Sequence, residues 1–496
     1  MTANPETSKT TKKSVSRRRF IAAAGVTGAT AGLSGCASMF GNGSDTGAQV
    51  GESESGGTTV VWGFDATVAQ DHADQLRTAL HEKGGLSDDI RVEFQPGQPD
   101  SGKRRSTYNR LLSSQETTPD MFMMDNGWVN IFIQRGQLAN LSEVLPESAL
   151  STIENEYFGG FTETAIDPAS GDLFGVPLYP DYPTMLYRKD LVEEAGYNPT
   201  EENWATEPMT WKRWSNIAAE AQEVSGVDYG FTTQWDIYVG TACCTFNEVL
   251  SSWGGAYFGG RENLFGPVGE RPVTVDSDPV VNSLNMMRKF VHDESFDGQF
   301  SDYGGGFTPT NILGWIEDSS LAPFVDGNAV FHRNWPYAIN QAASEFGDDL
   351  GTMPLPYGVP ESEAQFPGTG GSTSALGGWH ITVNPNSQKL DAVTQVIQAS
   401  MREEFQLFLL EVEGWLPPRA SLFNSETASE LEPTGDYMDT LRVAGENTMA
   451  RPVTSVWNNQ SSKIAEQANR AVGQEVSSAE AMATLQSSLE ETERSN

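Results

Sequence analysis

"MFMMDNGW", residues 121–128, joins four apolar residues directly to an acid, an amide, a glycine and an indole. The apolar run has the length and composition of a buried strand. Ligands of open α/β sheets collect beyond the carboxyl ends of strands, so Asp125 is placed to face one. Upstream, 59–64 (TVVWGF) reads as another buried strand. Residues 68–82 carry Leu76, Ala79 and Leu80 on one helical face, and Gly84 and Gly85 end the helix. Residues 90–94 alternate as a strand should, and a polar helix follows through Leu111 and Leu112. Strands separated by helices predict an α/β fold with a parallel sheet covered on both faces.

The same alternation continues downstream. Thr210 is an N-cap for a helix whose buried face holds Trp211, Trp214, Ile217, Ala218 and Ala221. Pro279 opens a helix with Val280, Leu284, Met287 and Val291 in register. Ser477 and Glu480 form a capping box before Met482, Leu485 and Leu489. Strands are expected at 228–233, 328–332 and 379–383. The sequence holds no internal repeat and no GxxxxGK[ST] loop.

Charge narrows the function classes. The 496 residues include 31 basic and 67 acidic side chains. Six of the basic residues and one acid fall in the first 35 positions, leaving 25 against 66, a balance of −41. Nucleic acid needs a basic face and is excluded as a partner. The acids are spread over the whole chain, a distribution that destabilises a compact state in dilute salt. In molar salt the Debye length is about 3 Å and the repulsion is screened. A salt-loving source is the expectation.

The basic start has its own logic. Residues 16–36 (SRRRFIAAAGVTGATAGLSGC) run from arginines through a Gly- and Ala-rich apolar stretch to Cys36. The stretch is too short and too small-sided to span a bilayer. It resembles a twin-arginine signal followed by a lipobox. That resemblance implies export of a folded chain, cleavage before Cys36 and a lipid on its thiol. Residues 37–57 are Gly, Ser and acid-rich and read as a tether. About 20 such residues reach roughly 25 Å when coiled. The expected place is the outer face of the membrane, anchored and not spanning. The adjacent Cys243 and Cys244 can form a strained vicinal disulfide, but two buried thiols are the expectation. The five histidines form no ligand-spaced pair, so no metal and no cofactor are expected.

Four loops combine aromatic rings with polar groups. They are Met124 to Trp128, Leu178-Tyr179-Pro180-Asp181-Tyr182-Pro183, Arg333-Asn334-Trp335-Pro336-Tyr337, and Gly377-Gly378-Trp379. Sugars ask for this mixture: a C–H face that stacks on rings, and hydroxyls that donate to carboxylates. Proline beside a ring lowers its ordering cost. The reading requires Tyr179, Trp335 and Trp379 to show ring faces to one crevice between two halves. Trp62 and Arg333 join the candidates on position alone.

These clusters resemble the extracellular carbohydrate-binding proteins of ABC importers, of the maltose/trehalose-binding type. Residues 185–196 (MLYRKDLVEEAG) look like that family's "LYYNKDLFEKAG", and Pro208 to Trp211 like its "P-x-TW" helix entry. Residues 324–330 (FVDGNAV) are similar to "F-x-x-G-x-AAM", and 414–419 (GWLPPR) to "G-x-x-P-x-R". The likeness covers 58–492. It implies a two-lobed periplasmic-binding-protein-like fold with discontinuous lobes and a hinge. The expected division is lobe one at 58–172 with 320–375, and lobe two at 173–319 with 376–496. It also implies sugar contacts at Asp125, Tyr179, Asp181, Trp335, Tyr337, Gly378, Trp379 and Arg451. For the acidic group after the first strand, Asp65 and Gln70 compete. The implied protein is a monomer without catalysis that captures a di- or oligosaccharide and hands it to membrane permease subunits. A secreted glycoside hydrolase using Asp125 and Asp181, or the same fold holding a non-sugar solute, are the alternatives.

Overall fold

The computed structural model describes residues 57–98, 101–423 and 425–495, all within the compact unit Ser55–Asn496. The signal at 1–36 with Cys36, and the tether up to residue 56, lie outside the described residues. Among those described, the strands are β1 (Thr58–Phe64), β2 (Ile90–Pro96), β3 (Met121–Asp125), β4 (Gly175–Asp181), β5 (Thr184–Arg188) and β6 (Tyr229–Thr232). They continue with β7 (Ala329–Asn334), β8 (Leu350–Met353), β9 (Ser374–Ala375), β10 (Gly377–Val383) and β11 (Thr448–Met449).

Two sheets form. The first has the order β2-β1-β3-β10-β4 and the second β6-β7-β5-β8. Each has its own apolar core. Val60, Trp62, Phe94, Val176 and Ile381 belong to the first, and Trp214, Phe231, Met287 and Phe331 to the second. Neither sheet is wholly parallel. β10 runs antiparallel to β3 and β4, and β5 runs antiparallel to β7 and β8. The parallel-sheet expectation is corrected there: a strand returning from the other lobe enters with its direction reversed.

The division of the lobes also differs from the expectation. β4 completes the first sheet before the chain crosses at Tyr182-Pro183. β7 and β8, within 320–375, belong to the second sheet. The chain returns through β9 into β10, so the segment beginning at 376 re-enters the first lobe. Helices Leu390–Ser400 and Glu403–Glu413 pack there, against helix Ala73–Glu82. A third crossing follows at β11, and helices Trp457–Val472 and Ser478–Arg494 pack on Asp278–His292 of the second lobe. Sequence order does not say which sheet a strand joins; hydrogen-bond partners do. The crossings are tied together. Ser374 Oγ donates to Pro183 O at 2.9 Å, and Leu376 N donates to Met449 O at 2.9 Å.

Local signals read from the sequence are found in place. Thr210 Oγ1 accepts from Arg213 N, and Ser477 with Glu480 makes the capping box. The helix expected at 68–82 is two, broken at His72. Cys243 and Cys244 are buried as expected, but they are not free thiols: they form a vicinal disulfide within the π-helical turn Thr241–Thr245.

Candidate functional site

Strand register assembles one side of the site. Trp379 of β10 lies opposite Asp125 of β3 on one flank and Tyr179 of β4 on the other. Gly377 lies opposite Asp181. A carboxylate, an indole, a phenol and a second carboxylate therefore share neighbouring strand ends. Gly378 permits this row. Its φ is +120°, and a Cβ there would stand 2.5 Å from Tyr179 O and 2.6 Å from the Phe161 ring.

The second sheet supplies the facing group. β7 ends at Asn334, paired with Thr184 just past the first crossing. Asn334 Oδ1 accepts from Trp335 N at 2.8 Å and so directs the indole. That ring packs against Gly377, where a Cβ would come within 2.6 Å of it. Beneath it the Arg333 guanidinium sits 4.9 Å from the ring centroid.

The acids differ sharply in their engagement. Asp65 caps helix Ala66–Asp71: Oδ1 accepts from Thr67 N and Val68 N, and Oδ2 from Arg104 Nη2 at 2.7 Å. Gln70 is exposed on that helix. Asp125 caps helix Asn126–Gln134 and pairs with Arg451, whose Nη1 stands 3.0 Å from Oδ1. Arg451 Nη2 also donates to Asn126 Oδ1 at 2.9 Å. The Asp181 carboxylate has no hydrogen bond and no ion pair among the described residues. Burial pushes its carboxyl well above the usual carboxylate range; Arg333 opposes that shift and Asp125 adds to it. Tyr337 Oη donates to Asp318 at 3.1 Å.

Several candidates stand differently from the expectation. Trp62 is 1% exposed, packed among Phe64 and Phe94 on the core side of β1, and is removed from the site. Arg333 and Glu248 are each 2% exposed and form a two-pronged ion pair, so Arg333 supports Trp335 and does not face a ligand. Tyr179 and Trp335 are more covered than an open crevice implies, at 6% and 8% exposure. Tyr179 is stacked on Trp415 at 4.3 Å, and Trp335 closes on Gly377. Trp379 remains half-buried, edge-on to Trp128.

Sequence reasoning missed Arg104, Trp415 and Glu248. Arg104 is buried, holds Asp65 and lies 4.9 Å over the Trp379 ring. Its signal was present: Arg104, Tyr108 and Leu112, four apart, form the buried stripe of helix Ser101–Ser113. Trp415 stood in the quoted turn, but nothing local says that it stacks on Tyr179.

Residues 87–406 match the family model described as bacterial extracellular solute-binding protein. A probable ABC transporter-binding protein of Deinococcus radiodurans is 23% identical over 365 residues, covering 72% of this chain and 74% of that protein. Maltose-bound MalE3 of T. maritima superposes with a TM-score of 0.70 at 23% identity, over 87% of this chain and 98% of that one. A solute-binding protein of Thermotoga lettingae holding α-D-tagatose gives 0.68 at 17%, over 88% and 99%. At these identities the structural likeness shows the two-lobed fold.

Proposed function

The chain belongs to the bacterial extracellular solute-binding protein family, and from that premise we propose that it captures a di- or oligosaccharide between its lobes for an ABC importer. The observation that carries this reading is the row Asp125–Trp379–Tyr179, with the unpartnered Asp181 beside it and Trp335 facing from the other lobe. The half-buried Trp379 ring suits the C–H surface of a pyranose, and Asp181 is an acceptor for hydroxyl protons. Arg451 borders the row. Arg451 acts through Asp125, holding its carboxylate in place, and Arg104 does the same for Asp65.

Closure about the three tied crossings completes the contacts, and the closed form is the one the permease subunits read. The protein works as a monomer outside the cell, exported by the twin-arginine route and held by a lipid on Cys36, in a salt-rich medium. Micromolar capture requires about −8 kcal/mol. Asp125 is held by Arg451 and by Gly127 N, which favours a fixed acceptor over the acid or nucleophile of a glycoside hydrolase.

The test is a thermal-shift panel in molar KCl with trehalose, maltose, glucose and longer glucans. Only ligands that prefer the folded state raise the melting point. A Trp379→Ala variant loses the shift. No shift from any saccharide, or steady release of reducing sugar on incubation, overturns the reading.

A further inference from the structure

Charge pairing at the lobe junction is one-sided. Each buried guanidinium there is already matched by a carboxylate of the protein: Arg104 by Asp65, Arg451 by Asp125, and Arg333 by Glu248. Their remaining reach is also taken. Arg104 Nε donates to Gln98 O at 3.0 Å, Arg451 Nη2 to Asn126, and Arg333 Nη1 to Gln234 at 3.4 Å. Arg104 Nη1 and Arg451 Nε have no partner among the described residues, and both atoms are sealed from solvent. Half-buried Arg105 donates to Asn458, from helix Ser101–Ser113 of one lobe to helix Trp457–Val472 of the other. The strongest charge acting on it is Asp125.

The acids do not balance in return. Asp181 has no partner, although it stands at the crossing where Gly377 and the Trp335 ring meet. Asp318 receives the Tyr337 hydroxyl, and Glu413 receives His72. The junction therefore offers one spare carboxylate, Asp181, and, among its buried arginines, none without a carboxylate partner.

From this imbalance we propose that the site selects its ligand by proton donors: it takes neutral saccharides and protonated amino sugars, and excludes sugar phosphates, uronic acids and aldonic acids. The inference rests on the sugar reading above and gives it a chemical class. A hydroxyl or an ammonium donates to Asp181 in a charge-assisted bond. Once Asp181 has ionised, a phosphate or carboxylate placed there faces a like charge, and the nearest opposing charge, Arg333, is already paired with Glu248; such an arrangement costs several powers of ten in affinity when desolvated.

Calorimetric titration of the full chain with matched pairs tests it: maltose against maltobionate, trehalose against trehalose 6-phosphate, and the glucosamine dimer. The neutral member and the amine bind, and the anionic member binds at least about 100-fold more weakly. Asp181→Asn narrows that gap to less than about tenfold while folding normally by its apo melt. Anionic and neutral members binding alike, or a gap untouched by Asp181→Asn, overturns this inference and leaves the sugar reading standing. Anion binding that Arg105→Gln removes overturns it too, by exposing a usable cation. No binding by any saccharide overturns both.

Discussion

Glu248→Gln isolates the ion pair beneath Trp335. Glu248 Oε2 accepts Arg333 Nε at 2.8 Å, its other oxygen accepts Arg333 Nη2, and Ala375 N of β9 donates to it at 3.0 Å. Neutralising Glu248 strands a guanidinium that is 2% exposed, so the pair's desolvation is no longer compensated. Breaking one side of such a pair costs about 3–5 kcal/mol. For a lobe of this size that is a fall in melting point of roughly 6–20 °C. Burial shields the pair from salt, so the loss persists in molar KCl. Replacing both partners by methionine recovers most of it, because the unpaired charge is then gone. Thermal and urea unfolding by circular dichroism, on the single and double variants, read these values. Ligand affinity also falls by about tenfold, since the Trp335 ring rests on Arg333. A single variant within about 1 kcal/mol of wild type, or a double variant no better than the single, refutes the reasoning.

Burial raises the Asp181 carboxyl, so the folded protein holds that proton more tightly than the unfolded chain does. Its contribution to apo stability is full below the unfolded carboxylate range and is lost as pH rises through the folded value. Sugar affinity runs the other way, strengthening over the same rise as the acceptor ionises; Asp181→Asn melts higher than wild type at neutral pH and loses both dependences. His332 and His380 are buried and neutral, each pushed down to about 3 by desolvation. Their contribution is full above about pH 6.5 and disappears as pH falls towards 3, so acid titration of stability shows uptake of two protons there. Gly378→Ala forces a Cβ to 2.5 Å from Tyr179 O at a φ of +120°. It lowers stability by more than about 2 kcal/mol and, by moving Trp379, weakens sugar binding in calorimetry.

Legibility followed local chemistry. β1, β2, β3, β6, β7 and β10 are continuous or alternating apolar runs, which period-2 patterning exposes. β4 (GVPLYPD) reads as a loop because Pro177 and Pro180 carry no N–H. It is nonetheless a strand, because it lies at the edge of its sheet, where only one ladder must be satisfied. Trp62 and Trp379 show the same limit within the site. Both are indoles near strand ends, yet one faces the core and the other the junction, and a strand's two faces look alike until its neighbours are known.

Composition and periodicity alone determined the acidic character, the strand–helix alternation, the caps at Thr210 and Ser477, and which loops mix rings with acids. Those properties depend on neighbours a few residues apart. Tertiary structure decided which sheet each strand joins, that β10 enters reversed, and that Arg104, Arg333 and Arg451 are each matched by a carboxylate while Asp181 is left alone. Those depend on contacts between residues tens to hundreds of positions apart, where pairing and burial are set by which strands become neighbours.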